Sequence, residues 1–220
     1  TGLRLFKPIL AGVRSGDRLL ACFGASFSIA FSILVCSTLP LHGSDFPLVV
    51  APLGASAVLV FTVPSSPMAQ PWPVIGGNIV STMIGVVIYQ AIPNMELAAS
   101  IAVGAAILIM SLLRCLHPPG GASALTAVIG SDAIHTAGFG FALLPVGINS
   151  VTLVMVGLLF HRLTSHSYPH RPLPAPDAGL HLGDIDGALE DMRDIVDISR
   201  EDLDALLSRA EMHAAKRKAT

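Results

Sequence analysis

Two six-residue runs share an order of residue types suited to anion binding: Pro52-Leu53-Gly54-Ala55-Ser56-Ala57 and Pro119-Gly120-Gly121-Ala122-Ser123-Ala124. Proline lacks an N–H and drives the residue before it out of the α region. Each run therefore predicts an extended or irregular approach, Val49-Val50-Ala51-Pro52 or His117-Pro118-Pro119, with helix beginning at the Gly-Ala-Ser. The first turn of a helix exposes unpaired N–H groups and partial positive charge, and glycine lets a ligand approach that backbone closely. Gly54, Ala55 and Ser56, and Gly120, Gly121, Ala122 and Ser123, are thus the expected contacts for a small anion, with the two hydroxyls as added donors. The same residues also serve close helix packing, and such helix starts can be capped by neighbouring carbonyls or water.

Other polar residues fall at telling places. His117 heads the second run, where an imidazole can donate to an anion, carry a proton or cap the helix. Arg114, three residues earlier, reads as an interfacial anchor or as an entrance that draws anions. Asn78 and Asn149 follow the motif glycines Gly54 and Gly121 by 24 and 28 residues. Each is an amide that must find partners in an apolar segment, by bridging helices or by lining a path. Ser81, Thr82, Thr126 and Thr152 are weaker candidates because such hydroxyls bond back to their own helix. The spans show no Ser/His or paired-carboxylate constellation, so no enzymatic role is expected. Cys22, Cys36 and Cys115 carry no CxxC spacing and read as small hydrophobes. His161, His166 and His170 lack zinc spacing, so neither a metal nor a cofactor is expected.

These residues must be positioned by a membrane bundle. The chain is 220 residues, 52% hydrophobic and 13% charged, with a mean hydropathy of +0.69. Ten charged residues lie in 1–163 and eighteen in 164–220, and only Asp45 and Glu96 fall between Arg18 and Arg114. A water-facing domain would show polar faces at period 2 or 3.6, and this stretch shows none. No long basic stripe points to nucleic acid. Recurrence of the apolar runs argues against a secretory signal. Candidate segments are Leu19–Leu39, Pro47–Val63, Pro73–Ile92, Leu97–Leu113, His117–Gly130 and Phe139–Leu163. Six crossings are preferred, with four spans and two re-entrant segments as the nearest alternative.

With six crossings, Arg4, Lys7, Arg14, Arg18, Arg114, Arg162 and Arg171 share one side, while Asp45, Glu96 and Asp132 face the other as solvated loop residues. The positive-inside rule then places both termini in the cytoplasm. Trp72 and Tyr89, at span ends, read as interfacial anchors. Three crossings per half make the repeat inverted, a pattern in which two opposed half-helices bring their N-termini near the midplane. The expected fold is an all-α polytopic membrane bundle: six segments as an inverted 3+3 repeat, two short broken helices, and a cytoplasmic helical tail. Gly24, Ser28, Ala102 and Ala106, at four-residue spacing, permit close helix contact within a protomer or in a homo-oligomer.

The chain divides into a transmembrane region 1–163, a Pro/His-rich linker 164–183 and amphipathic helices over 184–218. Asp184–Asp197 would align Ile185, Leu189, Met192 and Val196, and Ser199 with Asp202 forms an approximate capping box before Leu203, Leu206, Leu207 and Ala210. Lys216-Arg217-Lys218 suits the dipole at the end of that helix. A start at Thr1 without Met gives the expectation of a fragment.

At Leu116-His117-Pro118-Pro119-Gly120-Gly121-Ala122 the chain resembles the HPP family of integral membrane proteins, over about residues 5–163. Chloroplast and cyanobacterial members are nitrite transporters. The resemblance therefore implies a small monovalent anion, most directly nitrite, carried across a bilayer. The tail Ile198-Ser199-Arg200-Glu201-Asp202-Leu203-Asp204-Ala205-Leu206-Leu207 resembles the linker preceding paired CBS domains in bacterial members, which implies a bacterial inner membrane and CBS domains as partners. The expected function is an anion transporter or channel. The alternative is a non-transporting sensor or anchor that dimerises a cytoplasmic CBS-type module.

Overall fold

The computed structural model describes residues 15–39, 47–164, 167–171, 186 and 198–218. Within them the chain forms α1 (Ser15–Ser37), α2 (Pro52–Thr62), a 3-10 turn (Pro67–Ala69), α3 (Pro71–Ala91), α4 (Met95–Leu112) and α5 (Pro118–Ile129). There follow α6 (Asp132–Ala137), α7 (Phe139–Phe141), a π-helical stretch (Ala142–Gly147), α8 (Ile148–Leu163) and α9 (Arg200–Lys218). Arg4, Lys7, Arg14, Asp45 and His166 lie outside the described residues, as does the helix expected over Asp184–Asp197 apart from Asp186.

Among the described residues, four stretches are long and apolar enough to cross a membrane: Gly16–Ser37, Pro71–Ala91, Met95–Leu112 and Phe139–Leu163. Helices α2 and α5 have 11 and 12 residues. At about 1.5 Å per residue they reach little more than half of a ~30 Å hydrocarbon core. Residue size sorts inside out relative to a water-soluble protein. On α1 the small residues Ala21, Gly24, Ser28, Ser32 and Cys36 are buried, and Leu19, Phe23, Phe27, Phe31 and Leu34 point outward. On α4 the buried stripe is Ala98, Ala102, Ala106 and Met110. Lipid offers large apolar groups as good a home as the protein interior, so close backbone approach selects small residues for the contacts. Gly24, Ser28, Ala102 and Ala106 are thus spent inside the protomer.

Helix pairing follows this sorting. Helix α1 packs on α2 and α8, α4 on α3 and α5, and α3 lies along α5, with further contacts between α2 and α5, α2 and α8, and α3 and α8. Gly24 of α1 sits under Phe61 of α2 and Phe160 of α8, so the start of α1 shares an end of the bundle with the finish of α2 and α8. Trp72 donates from Nε1 to the Leu113 carbonyl (3.2 Å), which brings the start of α3 to the finish of α4. At the other end Cys36 donates to Asn149 (3.3 Å), and Tyr89 stacks on His135 with ring centroids 3.8 Å apart.

Four local expectations are revised. The segment Phe139–Leu163 is not one straight helix: Leu144 has φ −129° and ψ 110°, and the chain passes through a π-helical stretch holding Pro145. Proline removes a helical donor and clashes with the preceding turn, so Pro145 was the legible signal for this break. Ala51, expected extended before Pro52, is helical at φ −53° and ψ −38°, and a turn is already closed by Leu53 N–H to the Val50 carbonyl (2.9 Å). The part of the linker within the described residues, Ser167–Arg171, carries a buried Tyr168 whose hydroxyl donates to the Ala69 carbonyl (3.0 Å). The short helices also begin at their prolines, Pro52 and Pro118, ahead of the Gly-Ala-Ser where helix was expected to start, because proline is at home in a first turn. Three other local expectations hold. His117 is extended (φ −139°, ψ 111°), Glu96 and Asp132 are exposed, and Ser199 caps α9 by accepting from Asp202 N–H (3.1 Å).

Arg114 ends α4 in the left-handed region, at φ 55°. Its N–H donates to the Ser111 carbonyl (3.2 Å) and Cys115 N–H donates to the Met110 carbonyl (2.9 Å). This is the paired bonding of a Schellman ending, which normally uses glycine. Arg114→Gly is expected to raise unfolding free energy by up to about 1 kcal/mol through relief of backbone strain, measured by denaturation in micelles. An unchanged or lower stability would assign the Arg114 side chain a contact worth more than that strain.

Candidate functional site

Four of the sequence-selected residues converge on one buried polar cluster. Ser123, on α5, donates from Oγ to Asn78 Oδ1 (2.8 Å). Asn78, on α3, donates from Nδ2 to Ser56 Oγ on α2 (3.2 Å) and to its own helix at the Val74 carbonyl (2.9 Å). Ser56 Oγ lies 2.8 Å from His117 Nε2, and His117 Nδ1 lies 2.8 Å from the Met68 carbonyl. The order of donors follows from valence. A carbonyl only accepts, so Nδ1 carries the proton; Nε2 of the neutral ring then accepts from the Ser56 hydroxyl. A protonated ring would reverse this link: Nε2 would donate, and Ser56 would turn its hydroxyl to the Pro52 carbonyl at 3.1 Å.

Burial makes the cluster notable. His117 and Ser56 are 0% exposed, Ser123 1% and Asn78 2%. Ser81 and Thr82 bond back to the Asn78 carbonyl, as expected of hydroxyls on a helix. Polar side chains in a membrane bundle are costly unless paired, and their presence marks function or helix assembly. Ser56 and His117 form the Ser/His pair that the sequence reading did not find, because 61 residues separate them. The Ser56 oxygen is enclosed by Asn78 and Pro52 as well as His117, so the pair is arranged as a link in a chain of donors.

The other selected residues are placed differently. Gly54 has nothing within 4 Å of where a side chain would begin, and Gly121 meets only Val103 Cγ1 at 3.9 Å. Both face open space, with Ala55 and Ala122 exposed beside them. Gly54 N–H donates to Ala51 (3.0 Å) and Gly120 N–H to His117 (2.8 Å), so these two amides are engaged within their own turns. Asn149 lies apart: it accepts from the Cys36 thiol (3.3 Å) and donates to the Leu48 carbonyl (3.4 Å). Cys36 is therefore a hydrogen-bond donor as well as a small hydrophobe. Arg114 is exposed at the end of α4. An apolar groove of about 540 Å³ opens beside the cluster, with Met68, Met110, Leu116, Pro118, Gly121 and Ala122 among its walls.

Sequence reasoning missed the loop before α3. Gln70 donates from Nε2 to the carbonyls of Pro64 and Ser66, both at 2.9 Å, and its Oε1 accepts from His170 N–H (2.8 Å). His170 in turn meets the Asp202 carboxylate of α9 at 2.8 Å. Tyr168, a lone aromatic within a Pro/His-rich run, was the available signal that this segment docks. Among the described residues no group of three or more His, Cys, Asp or Glu could hold a metal ion.

The model of a family described as "HPP, transmembrane region" matches residues 11–169. Two transmembrane proteins of Dictyostelium discoideum are similar. One is 35% identical over 131 residues, which is 57% of this chain and 46% of the relative. The other is 37% identical over 120 residues, covering 52% of this chain and 38% of the relative. The chain thus spans less than half the length of either. No solved structure matches.

Proposed function

The chain belongs to the HPP family of membrane proteins, and from that premise we propose that its bundle carries a small monovalent anion, nitrite first among them, across the bilayer. The observation that carries this reading is the junction at Asn78. One amide joins the motif serines of both short helices at a point buried in an apolar bundle. Ser56, Ser123 and Asn78 offer O–H and N–H donors that currently satisfy one another, and an anion would exchange with those bonds. His117 adjoins them and can supply a proton. With the Gly54 and Gly120 amides engaged in their turns, the hydroxyls and the Asn78 amide become the primary ligands. Gly121 and Ala122 then form the approach from the groove, and Arg114 an outer entrance. Asn149, in its separate contact with Cys36, has a secondary role.

An inverted 3+3 repeat of six segments is part of the proposal. The motifs lie 67 residues apart, and helix pairing supports the two-fold relation. Exchanging α1 with α4, α2 with α5 and α3 with α8 turns each pairing described above into itself or into another that is present. Gly157 of α8 sits against Val60, and Gly85 of α3 sits against Ala127, the counterpart of Val60. The symmetry breaks at the centre, where the counterpart of His117 is buried Val50. Arg18, Arg114 and Arg162 at one end support cytoplasmic termini under the positive-inside rule. A bacterial inner membrane and CBS domains beyond α9 complete the reading, on the tail sequence.

Nitrite flux into proteoliposomes tests the proposal. Wild type is expected to conduct, and His117→Ala to lose at least about ten-fold, the scale of one buried bond to a charged ligand. Absence of wild-type flux for nitrite and other small anions would remove the transport reading. It would favour the sensor alternative, which the contact between His170 and α9 specifically supports. An enzymatic role forms no part of the proposal.

A further inference from the structure

We propose that Gln70 and Tyr168 are positioning residues for His117, and that α9 reaches the same histidine through His170. The route is a run of short contacts. Asp202 meets His170 at 2.8 Å, the His170 N–H donates to Gln70 (2.8 Å), and Gln70 ties the carbonyls of Pro64 and Ser66 into one loop. Tyr168 fixes a further carbonyl of the same loop, that of Ala69. Between Ser66 and Ala69 lies Met68, whose N–H donates to Ser66 Oγ (3.2 Å) and whose carbonyl receives His117 Nδ1.

This loop decides which ring nitrogen holds the proton. A carbonyl held at Nδ1 requires Nδ1–H and leaves Nε2 to accept from Ser56, so a displaced Met68 releases both tautomers. The tail end of the route holds a carboxylate, and the centre holds none. His170 faces Asp202 of α9, whose hydroxyl neighbour is Ser199; among the described residues the ring of His117 bonds to Ser56 and to the Met68 carbonyl. Burial raises the Asp202 carboxyl, but bonds from Ser199 and His170 and the His170 charge outweigh it and hold Asp202 below the ordinary carboxylate range. Burial raises the Tyr168 phenol, which keeps it a donor to Ala69. The inference deepens the transport reading by assigning its central histidine a regulator, yet its test needs no flux.

The test is nitrogen NMR of the whole chain, labelled at histidine, in lipid nanodiscs, with the His117 signals assigned by their loss in His117→Gln. Wild type is expected to show protonated Nδ1 and bare Nε2 at neutral pH. Tyr168→Phe and Asp202→Asn are each expected to raise the other tautomer about two-fold, part of the several-fold effect of one ordinary hydrogen bond. Asn can still accept from His170 through Oδ1, so the His170 signal reports whether Asp202→Asn has broken the contact, and Asp202→Ala replaces it if not. A His117 signal unmoved in either folded variant would overturn the proposal. Should Tyr168→Phe fail to fold, the substitution at half-buried Asp202 decides alone. If His117 responds but no anion crosses the bilayer, the positioning stands and the transport reading falls; flux with an unmoved His117 gives the reverse.

Discussion

Asn78→Leu is expected to destabilise the bundle by about 2 kcal/mol and to abolish anion flux, whereas Asn149→Leu costs about half as much. Removing the Asn78 amide deletes two inter-helix bonds at once. Ser123 is left with the Pro119 carbonyl at 3.4 Å, and Ser56 keeps Pro52 and His117. Interhelical hydrogen bonds in membranes are modest individually, so the loss is a sum of two bonds and a partly orphaned hydroxyl. Asn149 has weaker partners, a thiol at 3.3 Å and a carbonyl at 3.4 Å. A strict repeat would give the two substitutions equal costs; the geometry makes them unequal. Unfolding of both variants in mixed micelles measures the difference, and equal losses would refute the central place given to Asn78.

Gly77→Ala is expected to destabilise by about 3 kcal/mol, the upper range for overpacking, while Gly121→Ala leaves stability unchanged or slightly higher. A side chain at Gly77 would begin 2.6 Å from His117 Cβ and 2.7 Å from the Cys115 carbonyl. One of these is backbone and the other is the site itself, so neither yields without displacing the start of α5. At Gly121 the nearest atom is Val103 Cγ1 at 3.9 Å. There alanine gains helix propensity, worth roughly 0.5–1 kcal/mol. The pair separates packing from transport. If the anion approaches along the groove past Gly121, Gly121→Ala folds as wild type yet conducts less. If it conducts fully, the approach lies elsewhere, and the thermal melts of the two variants still test the packing.

Much of the site was legible because proline and glycine act locally. Pro118 fixes where the second helix starts: His117 before it is extended as the rule requires, and Pro118 and Pro119 themselves form the first helical turn instead of an irregular entry. The first motif obeyed less well: Ala51 is helical, since the turn closed by Val50 and Leu53 outweighs the steric preference against it. Pro145 is equally informative: it marks the break in a segment whose apolar run alone predicts one long span. Tyr168 could be noticed but not placed, because its partner Ala69 is 99 residues away.

By itself the sequence determined that charge is excluded from 19–113 apart from two residues, that two Pro-Gly-Ser helix starts recur, and that Asn78 and Asn149 sit in apolar surroundings. Those are properties of neighbours along the chain, and the cost of burying charge or breaking a helix is set there. Only the tertiary structure decided that Asn78 would join both serines while Asn149 went to Cys36, and that Ser56 would meet His117. These choices depend on which helices the small-residue faces bring together, and on a loop at 64–70 that aims one carbonyl at one ring nitrogen. No spacing in the sequence encodes that distance.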